Sequence, residues 1–341
     1  MVIFDDHELE ISVVTYNRAD YIKVLLEKNY FEARDRNITF IISDSSPNDK
    51  TKTVVDNFNK VFNANVIYRK YDENTNIGYK PVLSILDSKS KYVWVWGDSR
   101  FFDFDELDKK LFPYIKNNID WVCLFSNNLN FIEESTLSDK TQIIHKYFVP
   151  ITCVGCSIFK SSLFEFLKNQ QEKQSLDTLF KDSFGFAYLG YFYTAFSKSD
   201  SYKASFSVVK FNYIPSYLGV KKIQTWAKCF LECWIDELIN LIENLPNCYK
   251  NKEKLLEETW NIMKLDSFHY LFVSRKGDLN RQSFNKYKQR GIIKRITKHP
   301  IRMYVVANTP IFLIDFLQFS YSTLKLAYSF VKKHVGIKGS E

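Results

Sequence analysis

Apolar runs and amphipathic stretches alternate through the first hundred residues. Ile11 to Val14 reads as a buried strand, and Ala19 to Lys28 carries helical spacing, with Asn17 or Asp20 available as caps. A strand follows at Ile38 to Ile42, then a turn rich in Ser, Asp and Pro at Ser43 to Asp49 and a helix from Thr51 to Phe62. Asn65 to Arg69 predicts a third strand, and a helix after Gly78 leads into a fourth at Tyr92 to Trp96. Regular β-α-β-α succession predicts an α/β fold, with a mostly parallel sheet flanked by helices. In such sheets ligands bind outside the carboxyl ends of the strands. The loops at those ends read T-Y-N-R, S-D-S-S, Y-D-E-N-T-N-I-G and G-D-S-R, so their polar residues are expected to converge on one crevice.

Farther along, the pattern predicts a strand at Asp120 to Phe125, a polar loop at Ser126 to Asn130, an apolar stretch at Ile151 to Phe159 and a helix at Ser161 to Gln170. Trp226 to Ile242 and Lys252 to Phe272 have amphipathic helical spacing. No internal repeat or low-complexity linker interrupts the chain. A boundary near residue 220 separates the α/β part from a helical C-terminal region.

Composition narrows the class. The 341 residues, 45% hydrophobic and 25% charged, suit an ordinary globular chain of about two domains and exclude a largely disordered one. Aromatic residues reach 17%, alongside abundant Lys and Asn, which reads as genome bias rather than an aromatic binding function. The net charge of +8 is concentrated late, with Arg290, Lys294, Arg295, Lys298 and Arg302 closely spaced and Lys332 and Lys333 near the end. Cys153 and Cys156 have C-x-x-C spacing but lie in the apolar run I-T-C-V-G-C-S-I-F with no second pair, so buried reduced thiols are expected rather than zinc. The acidic start, Met1 to Glu10, has no signal-peptide apolar core, and a cytosolic location is expected for the bulk of the chain.

Four stretches carry a resemblance: I-S-V-V-T-Y-N-R-A-D-Y-I at 11–22, F-I-I-S-D-S-S at 40–46, N-I-G at 76–78 and K-Y-V-W-V-W-G-D-S-R at 91–100, with a fainter one at 151–163. In this order and spacing they resemble inverting glycosyltransferase family 2, of GT-A (Rossmann-like) fold, particularly its surface-polysaccharide and abequosyltransferase-like members. The likeness covers residues 9–220. It implies that Thr15, Tyr16 and Asn17, with Arg18, hold a nucleotide, and that Asp44, beside Ser45, meets the base edge. A carboxylate there accepts from the uracil imide, which favours UDP or TDP donors. The bland reading is that Asp44 and Ser45 cap the next helix or form an Asx-turn. Asn76 and Gly78 match the family's N-x-G loop, although Val82 stands where many relatives carry Asn, and Gly78 is otherwise a helix-start glycine.

Asp98 takes the first position of the family's D-x-D element, which implies Mn²⁺ or Mg²⁺ between carboxylate and diphosphate. Ser99 and Arg100 replace the later acids, so one carboxylate remains. Arg100 is then either a substitute positive charge for the diphosphate or a surface partner of Asp103 or Asp105. An inverting transfer needs an acid to deprotonate the acceptor hydroxyl. The family's late E-D pair is absent, leaving Asp177 and Asp182 as candidates, against the alternative of solvated helix acids.

The C-terminal segment alternates basic and apolar pieces. Met303 to Leu324 is long enough to span a bilayer, but Pro310, Asp315 and Gln318 favour an amphipathic helix lying on an anionic membrane surface; packing on the protein's own core is the other alternative. The expected organisation is a GT-A domain over 1–220, a helical extension over 221–289 and a basic membrane-associating segment over 290–341. The expected activity is transfer of a sugar from a nucleotide-sugar donor to a lipid-linked glycan at the inner face of a bacterial membrane. The alternative is a catalytically impaired binding subunit that supports another transferase. Nucleic-acid binding is disfavoured because the basic residues alternate with aliphatic runs.

Overall fold

The computed structural model describes residues 1–75, 77–125, 135–153, 155–199, 204–208, 211–213, 229–317 and 319. The chain divides into two compact units, one of Met1–Ile223 with Glu237–Lys252 and one of Gln224–Asp236 with Glu253–Glu341.

The first unit is built on an eight-stranded sheet. Its strands are β1 (Leu9–Thr15), β2 (Thr39–Asp44), β3 (Ile67–Lys70), β4 (Tyr92–Gly97), β6 (Trp121–Phe125), β7 (Ser135–Leu137), β8 (Ser157–Lys160) and β9 (Ala204–Val208). A separate two-stranded pair joins β5 (Arg100–Phe102) to β10 (Phe211–Tyr213). The sheet order is β3-β2-β1-β4-β8-β6-β9-β7. The β3-β2-β1-β4 half is parallel, as the alternating pattern predicts, whereas β8 runs antiparallel to both β4 and β6. Six of the seven residues of β1 are fully buried, as befits a central strand covered on both faces.

Helices α1 (Ala19–Arg34), α2 (Lys50–Phe62), α3 (Lys80–Leu86) and α4 (Phe104–Lys110) connect these strands. The cap of α1 departs from expectation: neither Asn17 nor Asp20 caps it, because Asn17 lies at φ 53° and Arg18 occupies the N-cap without a side-chain bond. Leu25, Leu26 and Ala33 of α1 pack with Ile11, Val13, Ile42 and the tryptophans of β4 in one core. Trp94 and Trp96 are fully buried, with ring centroids 4.7 Å apart, and truncating either would cost about 3–5 kcal/mol. Arg36, 2% exposed, ties the end of α1 to α4 through Glu32 at 2.7 Å and Asp108 at 2.8 Å.

The apolar stretch at 151–159 is divided between two elements. Helix Lys140–Ile151 ends there and β8 begins only at Ser157, because Gly155 turns the chain at φ 99°. The helix expected over Ser161 to Gln170 is a 3-10 helix, Ser161–Lys168, followed by Gln170–Leu179 with its own cap, Asn169.

Lys252 to Phe272, which enters the second unit at Glu253, is two helices, Lys252–Met263 and Phe268–Arg275, separated by Lys264 at φ 51°. Asn280 and Ser283 form a capping box that starts Arg281–Gln289. Trp260, Leu271, Ile296, Met303 and Ile314 are buried in this unit.

Candidate functional site

Strand register alone brings three loops to one level. Thr15 pairs with Asp44 across β1 and β2, and Val14 pairs with Gly97 across β1 and β4, so Asp98 follows β4 beside Thr15. Thr15 Oγ1 donates to Asp98 Oδ2 at 2.8 Å, and Arg18 Nη1 donates to Asp98 Oδ1 at 2.8 Å. Asp98 is 5% exposed. Burial pushes its carboxyl up, and the Arg18 guanidinium and the Thr15 hydroxyl oppose that shift.

Lys80 completes this cluster. Its Nζ donates to the Thr15 carbonyl at 3.2 Å and lies 5.1 Å from the Tyr16 ring centroid. Burial pulls its ammonium below the ordinary lysine range, while Asp44 and Asp98 act in the other direction. Tyr16 is exposed. Sequence reasoning did not select Lys80. A signal was present, because a lysine opening a helix runs against the macrodipole and asks for another reason to be there.

The β2 loop is organised around Asp44, which is fully buried. Its Oδ1 accepts from the Ser46 backbone N–H at 2.8 Å and from the Ser46 hydroxyl, and its Oδ2 accepts from Tyr68 OH at 2.9 Å. That is the Asx-turn geometry weighed above, and it leaves Asp44 as the pivot of the loop. Ser46 Oγ in turn accepts from Asn17 N–H at 2.8 Å, which joins the β1 and β2 loops. Lys70 Nζ donates to the Ser46 carbonyl. Ser45 is fully buried and its hydroxyl has no hydrogen-bond partner among the described residues. Ser46, Tyr68 and Lys70 also escaped the sequence reading, because Tyr68 and Lys70 lie on a half-exposed edge strand with no motif.

Gly78 is a packing glycine. A Cβ there would lie 2.1 Å from the Phe184 carbonyl oxygen, so the loop before α3 rests directly on the 184–187 backbone. Val82 is fully buried, as its apolar identity implies. Asn76 lies outside the described residues.

Arg100 does not pair with Asp103 or Asp105 in the way considered from the sequence. Asp103 caps α4, accepting from the Asp105 and Glu106 N–H groups, while Arg100 Nη2 donates to Cys153 Sγ at 2.6 Å. The Cys153 thiol is lowered by its hydrogen bond with Cys156 and by the Arg100 charge. Gly155 packs against the end of β4, where a Cβ would meet Gly97 N at 3.1 Å.

The two base candidates differ. Asp177 accepts from Lys173 Nζ at 3.0 Å and from Tyr191 OH. The Tyr191 ring lies 5.5 Å from that of Tyr79, the neighbour of Lys80, tilted by 50°, so Asp177 is linked to the α3 loop. Asp182 is exposed and is drawn into none of these contacts.

A divalent ion needs several oxygen ligands from the protein or its ligand. Among the described residues no group of three or more His, Cys, Asp or Glu could hold one. Both oxygens of Asp98 already accept from Thr15 and Arg18, and Ser99 and Arg100 add no carboxylate. Among the described residues the donor set, with Asp98 the one carboxylate of its element, does not fit a resident Mn²⁺ or Mg²⁺.

Comparison with known proteins identifies the fold. S. aureus TarS 1-349 in complex with UDP-GlcNAc superposes with TM-score 0.51 at 13% identity, covering 86% of this chain and 82% of that one. A longer S. aureus TarS structure gives the same TM-score and identity over 86% of this chain and 50% of its own. The chain has the GT-A glycosyltransferase fold. In sequence, 100 residues are 27% identical to abequosyltransferase RfbV of Salmonella typhimurium. That match spans 29% of this chain and 30% of the relative's length. No protein-family model matches the chain. Within the GT-A fold, the cluster of Thr15, Arg18, Asp44, Lys80 and Asp98 lies at the carboxyl ends of the parallel strands, where α/β sheets bind ligands.

Proposed function

We propose that the chain is an inverting glycosyltransferase that binds a nucleotide-sugar donor, UDP- or TDP-linked, at the carboxyl ends of β1, β2 and β4. The observation that carries the reading is the ordered convergence of Thr15, Arg18, Lys80 and Asp98 beside the Asp44 loop. The exposed Tyr16 and Asn17 offer a face for the nucleotide, and the cations of Arg18 and Lys80 suit an anionic diphosphate. TarS 1-349, which shares the fold, is known in complex with UDP-GlcNAc.

In this mechanism the loop held by Asp44, Ser46 and Asn17 orients the base. Arg18 and Lys80 stabilise the charge that grows on the diphosphate as the sugar leaves. Asp177 takes the proton of the acceptor hydroxyl; Tyr191 and Lys173 hold its carboxylate, and each oxygen keeps a lone pair for that proton.

The acceptor is a lipid-linked glycan, of the kind used for capsule or O-antigen polysaccharide, and the protein sits peripherally on the inner face of the cell membrane. Supporting this, Ile301, Tyr304, Val305, Phe312 and Phe316 of the second unit are exposed between 50% and 75%. No single described helix is long and apolar enough to cross a membrane; Pro300–Asn308 with Ile311–Leu317 is a pair bent by 117°. Part of the basic segment is engaged at home, Arg290 by Asp236, Arg295 by Glu253 and Lys298 by Glu257. Such surface pairs are weak and leave the charge available to headgroups. Residues 320–341 lie outside the described residues. Because Ile292, Ile296 and Met303 are core residues, the membrane test substitutes Phe312→Glu and Phe316→Glu rather than deleting the tail. Reduced binding to anionic vesicles is expected.

Transfer itself is tested by incubating purified protein with UDP, TDP, GDP and CDP sugars and reading thermal shift and donor turnover together. A UDP or TDP shift with turnover supports the enzyme. A shift without turnover on any acceptor supports the binding-subunit alternative, and no shift rejects both.

A further inference from the structure

A buried lysine ammonium carries three donors and is stable inside a protein only when acceptors or counter-charges meet them. Lys80 is 4% exposed, and among the described residues its ammonium has one hydrogen-bond acceptor, the Thr15 carbonyl. The other donors are left beside the strand ends where the loops converge. None of them is donated to Asp98, whose two oxygens accept from Thr15 and Arg18. Arg18 presents the other side of the cluster: Nη1 is on Asp98, and its side chain is 40% exposed.

We infer that Lys80 and Arg18, rather than a carboxylate-held divalent ion, neutralise the diphosphate of the donor. The inference rests on the donor reading above and specifies its phosphate subsite. Three observations agree. The strand-end carboxylate is the one acid left in its D-S-R element and already accepts from two protein donors. Acids do not cluster around it among the described residues. Two cations flank it, one with unused donors in a buried position. In this arrangement Asp98 is a positioning residue: it fixes the Arg18 guanidinium and anchors Thr15, whose carbonyl holds Lys80. Arg100, the cation suggested by the sequence, is not in this cluster, since its Nη2 is directed to Cys153. A protein ammonium stands where metal charge would be used.

The test is calorimetric binding of UDP and of uridine, each in EDTA and in excess Mn²⁺, to wild type, Lys80→Met and Lys80→Arg, with a thermal melt on every variant. UDP affinity of wild type is expected to be the same in EDTA and Mn²⁺. Lys80→Met should weaken UDP about tenfold to a hundredfold, the loss of a charge-assisted contact. Uridine, which has no phosphate, should be unaffected by Lys80→Met, and Lys80→Arg should restore most of the UDP affinity. An equal loss of uridine and UDP binding, or no loss of either, would overturn the assignment of Lys80. UDP binding by wild type that strengthens more than about tenfold with Mn²⁺ would overturn the metal-free subsite even if no variant folds. If wild type binds no nucleoside diphosphate under either condition, the donor reading itself fails and takes this inference with it.

Discussion

In the parallel half of the sheet Asp98 sits one residue past β4, buried, and gripped by two partners from the neighbouring β1 loop. In the mixed half Asp177 sits on the helix after the β8 turn, partly exposed, and is held by Lys173 four residues earlier and by Tyr191 from the next helix. The first carboxylate owes its place to strand register, and the second to helix packing. A register-fixed group can only hold what comes to it. In the proposed mechanism the helix-borne group, linked to the α3 loop through Tyr191 and Tyr79, is the one that acts on the acceptor. Binding and proton transfer are therefore expected to separate cleanly between the two halves.

The sharpest way to break that separation is at Asp98. Asp98→Asn removes the anion that holds Arg18, and donor binding and turnover should both fall by about a hundredfold or more; loss of the charge-assisted bonds should also cost about 1–3 kcal/mol of stability. Titration calorimetry and denaturant unfolding read the two effects. Full donor affinity in a folded Asp98→Asn protein would remove the parallel half from the account.

Asp177→Asn should act the other way, lowering turnover by about a hundredfold or more while leaving UDP affinity unchanged. Asp182→Asn serves as its control, with near-normal rates, because Asp182 is exposed and outside the cluster. If Asp182→Asn is the inactive variant, the proton acceptor has been misplaced.

How much of this was legible in the sequence follows the same division. T-Y-N-R, S-D-S-S and G-D-S-R each begin where a predicted strand stops, so periodicity located Thr15, Asp44 and Asp98 before any contact was known. What periodicity could not supply was who holds whom. The Asp44 oxygens are filled by Ser46, two residues on, and by Tyr68, across a strand pair. The Lys80 contact to Thr15 spans 65 residues. The region after residue 150 was less legible, because one glycine at φ 99° divides an apolar run between a helix end and a strand. The Lys264 break at φ 51° did the same to the helical run in the second unit. Positive-φ residues are local decisions that hydrophobic spacing does not record.

A smaller effect is expected at the junction of the two halves. Gly78→Ala drives a methyl group into the Phe184 carbonyl, and the forced shift should cost about 1–3 kcal/mol and loosen the Lys80 loop. Unfolding midpoints and UDP affinity should fall together. A stable Gly78→Ala protein with normal affinity would show that the loop and the 184–187 segment move independently.

The smallest effect is a pH dependence confined to the parallel half. The Asp108 carboxyl is held below its ordinary 3.8 by the Arg36 hydrogen bond and the Val2 N–H, against the opposing effect of burial. A carboxyl lowered on folding binds fewer protons in the native state, so its contribution is complete above 3.8 and is lost as pH falls through the lowered value. Asp108→Asn should flatten the acid limb of the stability curve below pH 3.8 without altering UDP affinity at neutral pH. An unchanged acid limb would mean that Glu32 and Asp105 carry the Arg36 interaction alone.

The central claim is that a nucleoside diphosphate sits on the loops at the ends of β1, β2 and β4. Photolabelling with an azido-uracil analogue of UDP, followed by peptide mapping, tests it most directly. The account predicts saturable label, competed by UDP, on peptides carrying Thr15 to Arg18, Asp44 to Asn48 or Tyr68 to Tyr71. Competed label confined to the second unit, or label that UDP does not displace, would contradict it.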